Sequence, residues 1–501
     1  MSFSSRRRNY LLTPHRRDGL IEWMKSMLQH SFVLDALETT GADTFSHFEV
    51  LIEEHRQMEG SLQPSRLQQL VPTIGMFHTP LPLRSAFMIY NEKHRLTKRK
   101  HIQISFNEIR HILNLAQIMA MGKNRPGEIP DLLASTRPGG KDEDDASFSA
   151  LGDFVENCSD DPADPLESLN GPKLISFDGD QTLYSDGANF DDNPRLARYM
   201  ELLLRHGCCV AVVTAAGYEY KVEKYEYRLS GLLKYFSKQK LTAEECERFY
   251  LFGGECNYLL QLKDDYHLHP VKERGPGGWI TSTQYLPEAP ANWEEAKITG
   301  LLDVVEAKAN AVVEELRLRG RVIRKRRSVG LVPQPGSEIT RESLDEAVLS
   351  YQEELHAMND GAGPGLPYCA FNGGTDTWVD VGNKRVGVQV LQSYLGIQPA
   401  ETLHIGDQFL NTGNDFAARA VSPCIWIINP NETTYILKSI LRLAGVNFQL
   451  PAATSESDVA SNSSSADPLH RSNSIDFQEM QRRTAAAAKM DVYTGELVKQ
   501  G

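Results

Sequence analysis

Two aspartates one residue apart, Asp178 and Asp180, stand directly behind a short apolar run, LISF at 174–177. In an extended segment, residues i and i+2 point the same way. Two carboxylates so placed repel each other, and a divalent cation relieves the repulsion. Oxygen-rich sites suit Mg²⁺, which keeps several waters and works beside substrate phosphate. One carboxylate can then attack phosphorus while its neighbour moves the proton. A plain Asx-rich turn after a strand would read the same way locally. Three further signals follow in chain order. Thr214 closes the apolar run CCVAVVT, where its hydroxyl suits a phosphoryl oxygen. Lys384, in DVGNKRVGV, opens a helical stretch, and a buried ammonium there would offset phosphate and carboxylate charge. Asp407, in LHIGDQFLNTGND, follows Gly406 at the end of another apolar run, with Asn411, Asn414 and Asp415 just beyond.

The elements that must position these groups follow from the hydrophobic pattern. LISFD at 174–178 and CCVAVVT at 208–214 read as buried strands, and PRLARYMELLLRHG between them as an amphipathic helix ending at Gly207. That β–α–β order predicts an α/β fold, a Rossmann-like doubly wound parallel sheet. Ligands bind beyond the carboxyl ends of such strands, which is where all four signals fall. ETLHIGD at 401–407 and CIWIIN at 424–429 supply further strands of this core, assigned to 171–224 and 369–450. Residues 225–368 differ. They hold glycine-rich turns, a basic run (RVIRKRRSVGLV) and helical stretches at 291–319 and 340–358, and read as an inserted α+β cap. A cap excludes water and reads the substrate beyond its phosphate.

Residues 1–137 read as a helical N-terminal module, with apolar spacing over 19–38, 46–70 and 106–121 and a basic run at 93–101. The acidic, Asp/Pro/Ser-rich stretch at 138–170 reads as a linker, and the Ser/Ala-rich 451–501 as a disordered tail. Across 501 residues the net charge is −13, which argues against a general nucleic-acid binder. No run of about 18 apolar residues predicts a membrane span. Nor does an apolar segment follow Arg6–Arg8 as a secretory signal would require. Seven cysteines without a CxxC pair read as reduced thiols. The expectation is a cytoplasmic protein.

The ordered set of Asp pair, Thr, Lys and Gly-Asp resembles the haloacid-dehalogenase-like (HAD-like) phosphatase superfamily over about 171–445. That resemblance implies Asp178 as nucleophile and Asp180 as general acid and base. It implies phosphate held by Thr214 and Lys384, and Mg²⁺ held by Asp178 and Asp407 together with Asp180 or its backbone carbonyl. Asp415 stands displaced from the compact form of the last motif. The local wording goes further: DGDQTLYSDG, TAAGY, FNGGTDTWVDVGNKRVGV and HIGDQFLNTGND resemble the IMP-specific 5′-nucleotidases. This implies Mg²⁺-dependent hydrolysis of inosine 5′-monophosphate, activation by ATP and a homotetramer. It adds Asp186 and Asn372 as substrate contacts, and His111 and Lys123 as ATP contacts. Two other readings fit the same motifs: a sugar-phosphate phosphatase or phosphomutase, and a non-catalytic nucleotide sensor.

Overall fold

The structure is a computed structural model. It describes residues 18–122, 171–359 and 365–446, apart from 30–35, 59, 62, 100–101, 186, 191–192 and 411. The expected linker and tail, together with Lys123, Asp186 and Asn411, lie outside the described residues.

The strands in chain order are β1 (Leu174–Phe177), β2 (Cys209–Val213), β3 (Phe249–Gly253), β4 (Tyr258–Leu262), β5 (Leu268–Pro270), β6 (Gly320–Arg324), β7 (Ser328–Pro333), β8 (Tyr368–Asn372), β9 (Thr377–Val381), β10 (Thr402–Gly406) and β11 (Cys424–Trp426). Seven of them form one sheet in the order β11-β10-β1-β2-β3-β4-β5. From β11 to β3 all pairs are parallel, and β4 and β5 add antiparallel at the far edge. Every residue of β1 is buried, as expected of a central strand covered on both faces. β1 has β2 on one side and β10, from far along the chain, on the other. That reversal of strand order opens the crevice in which α/β sheets bind ligands.

The helix Pro194–Arg205 makes the crossover from β1 to β2. Asn193 caps it by accepting from the Leu196 N–H at 3.1 Å, Pro194 opens it, and Leu196, Tyr199, Met200 and Leu203 form its buried stripe. The second sheet, β6-β7-β9-β8, is antiparallel throughout. The helices Glu295–Glu315 and Arg341–Asn359 cover one of its faces, burying Leu302, Val305, Val348 and Tyr351 against Val329, Leu331 and Val379.

This topology moves both expected boundaries of the cap. Three strands from 249–270 belong to the large sheet, because β3 pairs in parallel with β2 and the β3–β4 hairpin extends it. Conversely, β8 and β9, expected in the core, pair with β7 in the second sheet. Within the helically spaced 19–38, the described residues form the helix Gly19–Gln29 and the start of the helix Ala36–Gln57.

The helices Gly19–Gln29, Ala36–Gln57, Leu83–His94 and Phe106–Met121 share one continuous apolar core with a face of the large sheet. In the basic run, Arg95 takes a left-handed backbone as the cap of Leu83–His94, and Arg99 pairs with Glu108. The helix Phe106–Met121 starts with a capping box between Ser105 and Glu108 and lies against β11 and the helix Pro430–Leu443. A buried ion pair joins these helices. Arg110 donates to both Glu432 oxygens at 2.8 and 3.0 Å, and to the Trp426 carbonyl at 2.6 Å. Removing one partner of such a pair leaves the other charge buried alone, at a cost of about 3–5 kcal/mol. Arg110→Met is therefore expected to destabilise the fold by that amount in denaturant melts. Arg110→Met with Glu432→Leu should recover part of the loss, and a single-variant loss below about 1 kcal/mol would refute the role assigned to the pair.

Candidate active site

Asp178 continues the line of β1, its N–H donating to the Ile405 carbonyl at 2.9 Å. Its carboxylate sits 2.6 Å from the Lys384 ammonium, which lies another 2.6 Å from Asp415. Lys384 is fully buried at the first turn of the helix Lys384–Leu395, where Asn383 caps by accepting from the Val386 N–H. Two buried carboxylates hold its pKa above the ordinary lysine value against desolvation. Burial pushes Asp178 up to about 7, with Lys384 opposing and Asp415 adding to the rise.

Asp415 is the anchor of this cluster. It accepts from Lys384, from His404 Nε2 at 2.9 Å and from the Gln408 N–H at 2.9 Å. Lys384 and His404 together hold it below the usual carboxylate range against burial. Burial pushes the His404 pKa below the ordinary imidazole value, with Asp415 opposing. Donation from Nε2 then leaves Nδ1 to accept from Ser176 at 2.9 Å, which sets the tautomer. Gly406 is required here, since a Cβ would run into the Asp415 carboxylate.

Asp407 follows β10. Its Oδ1 is buried with no hydrogen-bond partner, and burial next to Asp178 and Asp415 raises its pKa well above the usual value. Carboxylate oxygens of Asp178, Asp407 and Asp415 lie within 4.8 Å of one another. Three converging carboxylates, one with an orphaned oxygen, fit a hard divalent cation with oxygen preference. Asp180, expected in that set, turns its carboxylate elsewhere. It accepts from Arg228 at 2.5 Å and from the Gly187 N–H at 3.1 Å. The third carboxylate of the described cluster comes from Asp415.

Thr214 is buried beyond β2, its hydroxyl accepting from the Ala216 N–H at 3.1 Å. That hydroxyl lies close to Gly179, between the two motif aspartates, so Thr214 and the Asp pair meet as expected. Asn372 sits where the second sheet meets the segment after β10, its N–H donating to the Thr412 carbonyl at 2.9 Å. Its side chain is occupied by Asp345 and the Gly374 N–H. His111 is buried among Tyr90, Arg110 and Glu432.

Two site residues escape sequence reasoning. Glu255, just past β3, is fully buried. Burial pushes it up to about 8, one oxygen accepts from Asn414 at 3.0 Å, and the other has no partner. Arg228 stacks 4.8 Å over the Tyr184 ring while holding Asp180. The FGGE at the end of a buried strand was the available signal for Glu255.

A family model described as IMP-specific 5′-nucleotidase matches residues 2–437. The chain belongs to that family. Two curated members carry the name IMP-specific 5′-nucleotidase 1. The one from Yarrowia lipolytica is 36% identical over 456 residues, covering 86% of this chain and 96% of its own. The one from Plasmodium falciparum is 34% identical over 438 residues, covering 85% and 84%. A solved Plasmodium falciparum IMP-nucleotidase variant with IMP bound superposes with a TM-score of 0.69 at 34% identity, over 86% of this chain and 96% of that one. The same enzyme with ATP bound gives 0.66 at 34% identity, over 86% of each chain. The 5′-nucleotidases are phosphoric monoester hydrolases, so this family is one of enzymes, and the α/β architecture expected from the motifs is the family's own. Among the described residues no helix is long and apolar enough to cross a membrane.

Proposed function

We propose that this chain hydrolyses inosine 5′-monophosphate to inosine and phosphate through an aspartyl-phosphate, with Mg²⁺ as cofactor and ATP as activator. The observation that carries the reading is the buried Asp178–Lys384–Asp415 cluster at the switch point of a parallel sheet. Asp178 is the nucleophile: its oxygen bonds to phosphorus as the ester oxygen leaves. Asp180 gives that leaving oxygen a proton, and for this its carboxyl rotates away from Arg228. Water then attacks the phosphoaspartate, Asp180 takes a proton from it, and phosphate departs with Asp178 restored. Lys384 and Thr214 hold the phosphoryl oxygens, and Asp178, Asp407 and Asp415 would hold Mg²⁺. Bound there, the cation neutralises charge on the transferring phosphoryl group. The family resemblance extends the reading to a cytoplasmic homotetramer.

The ATP reading is supported by a cleft between the N-terminal helices and the segment that follows β10. Leu20, Phe77 and Asn114 line it on one side, and Phe409, Phe416 and Arg419 on the other. Trp426 also lines it and ties it to the site, its indole N–H donating to the Asp407 carbonyl at 2.8 Å. Asn114 in turn grips the Trp426 backbone at 2.7 and 3.2 Å. Ligand in this cleft therefore bears on a residue assigned to the metal. Phe416 is 38% exposed at the cleft. Losing a stacking surface worth about 1 kcal/mol, Phe416→Ala is expected to raise the ATP concentration for half-activation by about fivefold, with turnover lacking ATP near wild type. An unchanged ATP response would place the effector elsewhere.

The direct test is phosphate release from IMP, AMP, GMP and mannose phosphates with Mg²⁺, with and without ATP. Release from IMP alone, raised by ATP, is expected. Release spread over sugar phosphates would keep the chemistry and overturn the substrate. Tight nucleotide binding without release would overturn the enzyme.

A further inference from the structure

We propose that Asp380, on the inner face of the second sheet, accepts hydrogen bonds from the ribose hydroxyls of the substrate and makes the site selective for ribonucleotides over deoxyribonucleotides. This deepens the nucleotidase reading above and rests on it.

Strand alternation assigns the faces of β9. Val379 and Val381 pack into the core beneath the two covering helices. Trp378 and Asp380 therefore project from the opposite face. There Trp378 joins Val332, Cys369 and Phe371 in a small apolar cluster that packs against Ala215, the residue after Thr214. This face of the sheet thus looks onto the carboxyl end of β2, where the phosphate-binding hydroxyl stands.

Asp380 is the carboxylate on that face. It lies level with Ser328 on one neighbouring strand and Cys369 on the other, and only 6% of its surface is exposed. The Ser328 hydroxyl bonds it, and Lys325 attracts it across the β6–β7 turn. Its charge is felt at Glu255, which also feels Lys384. Cys369, beside it, feels Glu255, Lys384 and Asp415 together with Asp380. Sharing its face with Trp378 and lying level with Cys369, Asp380 stands on the side of the second sheet that meets Ala215 and the phosphate end of the site. Burial pushes its pKa up to about 7, so a group that donates hydrogen bonds to it would stabilise the charged form.

The chemistry of the ligand follows from the donor count. An ionised carboxylate only accepts hydrogen bonds. The phosphate offers acceptors, and Lys384 and Thr214 answer them. One carbon beyond the ester oxygen comes the ribose, whose 2′ and 3′ hydroxyls are donors. The base lies a ring further on. A carboxylate on the cap side of the seam, near the phosphate end, is thus matched to the sugar. A site built to bond a hydroxyl discriminates strongly against the analogue lacking it, because its own polar group is left unpaired.

The test compares kcat/KM for IMP, 2′-deoxy-IMP and AMP in wild type, Asp380→Ala, Asp380→Asn and Ser328→Ala. Wild type is expected to favour IMP over 2′-deoxy-IMP by about tenfold or more. Asp380→Ala should bring that ratio within about threefold of unity, and the other two variants should fall between. The IMP-to-AMP ratio should not move. Each sugar ratio is internal to one protein, so partial misfolding cancels. Should Asp380→Ala fail to fold, the shifts in Asp380→Asn and Ser328→Ala decide. An unchanged sugar ratio, an equal loss on both sugars, or a collapse of IMP over AMP instead would each overturn the inference. Wild-type turnover of IMP without sugar preference would sink this inference alone. No wild-type turnover of any nucleotide would sink the nucleotidase reading with it.

Discussion

Replacing Asp178 with asparagine is expected to lower kcat for phosphate release from IMP by at least about 10⁴-fold, the scale on which loss of a nucleophile acts. That corresponds to about 5.5 kcal/mol of barrier. The variant should nonetheless fold. Asp178 is one of two carboxylates on a single buried lysine, and Lys384 keeps Asp415 at 2.6 Å when the other partner becomes neutral. Burial already disfavours the charged form of Asp178, so removing that charge takes away little stability. Binding of IMP should survive and tighten, because one negative charge facing the phosphate is gone. Rapid-quench turnover and calorimetric binding on the same preparation separate the two effects. A kcat within about tenfold of wild type would leave water as the attacking group and remove Asp178 from its assigned role.

The residues on which that expectation rests are legible in the sequence because their signals are local. Asp178, Thr214 and Asp407 each end a short apolar run, and Lys384 opens a helix behind a capping asparagine. Position at a strand or helix end survives folding unchanged, so reading the pattern places them. Glu255 ends an apolar run as well, but the run stands in a stretch that reads as an insertion. Only pairing of β3 with β2 brings it to the site. Strand partnership joins residues far apart in sequence and leaves no local period to read, which is why both cap boundaries move. That the Asp180 carboxylate lies outside the clustered three has a different cause. It depends on where a turn aims a side chain, and Arg228, from a helix some 48 positions on, draws Asp180 aside. Arg228 sits among Lys221, Lys224 and Lys234 in a stretch whose cations look alike until packing buries one of them.

Lys384→Met should show how far the site depends on one cation. In metal-free buffer the variant keeps Asp178, Asp407, Asp415 and Glu255 buried with the ammonium gone. Breaking a buried pair from one side costs about 3–5 kcal/mol, so the melting midpoint at pH 8 should fall by several degrees. The pH dependence has a definite sign. In wild type, Asp415 has a depressed folded pKa, so its contribution is present above the ordinary carboxylate value and lost as pH falls through the folded one. Lys384 has a raised one, so its contribution is complete below about 10.5 and lost at higher pH. The pair therefore stabilises wild type throughout the neutral range. In the variant the buried carboxylates all hold protons more tightly than in the unfolded chain. The folded state then binds more protons than the unfolded one, and its stability rises as pH falls. Its deficit against wild type should shrink between pH 8 and pH 5.5, and Mg²⁺ at pH 8 should restore part of it by answering the same charges. Melts of both proteins across that range test the point. A variant within about a degree of wild type at pH 8, or a deficit that widens on acidification, would mean that Lys384 does not neutralise this cluster.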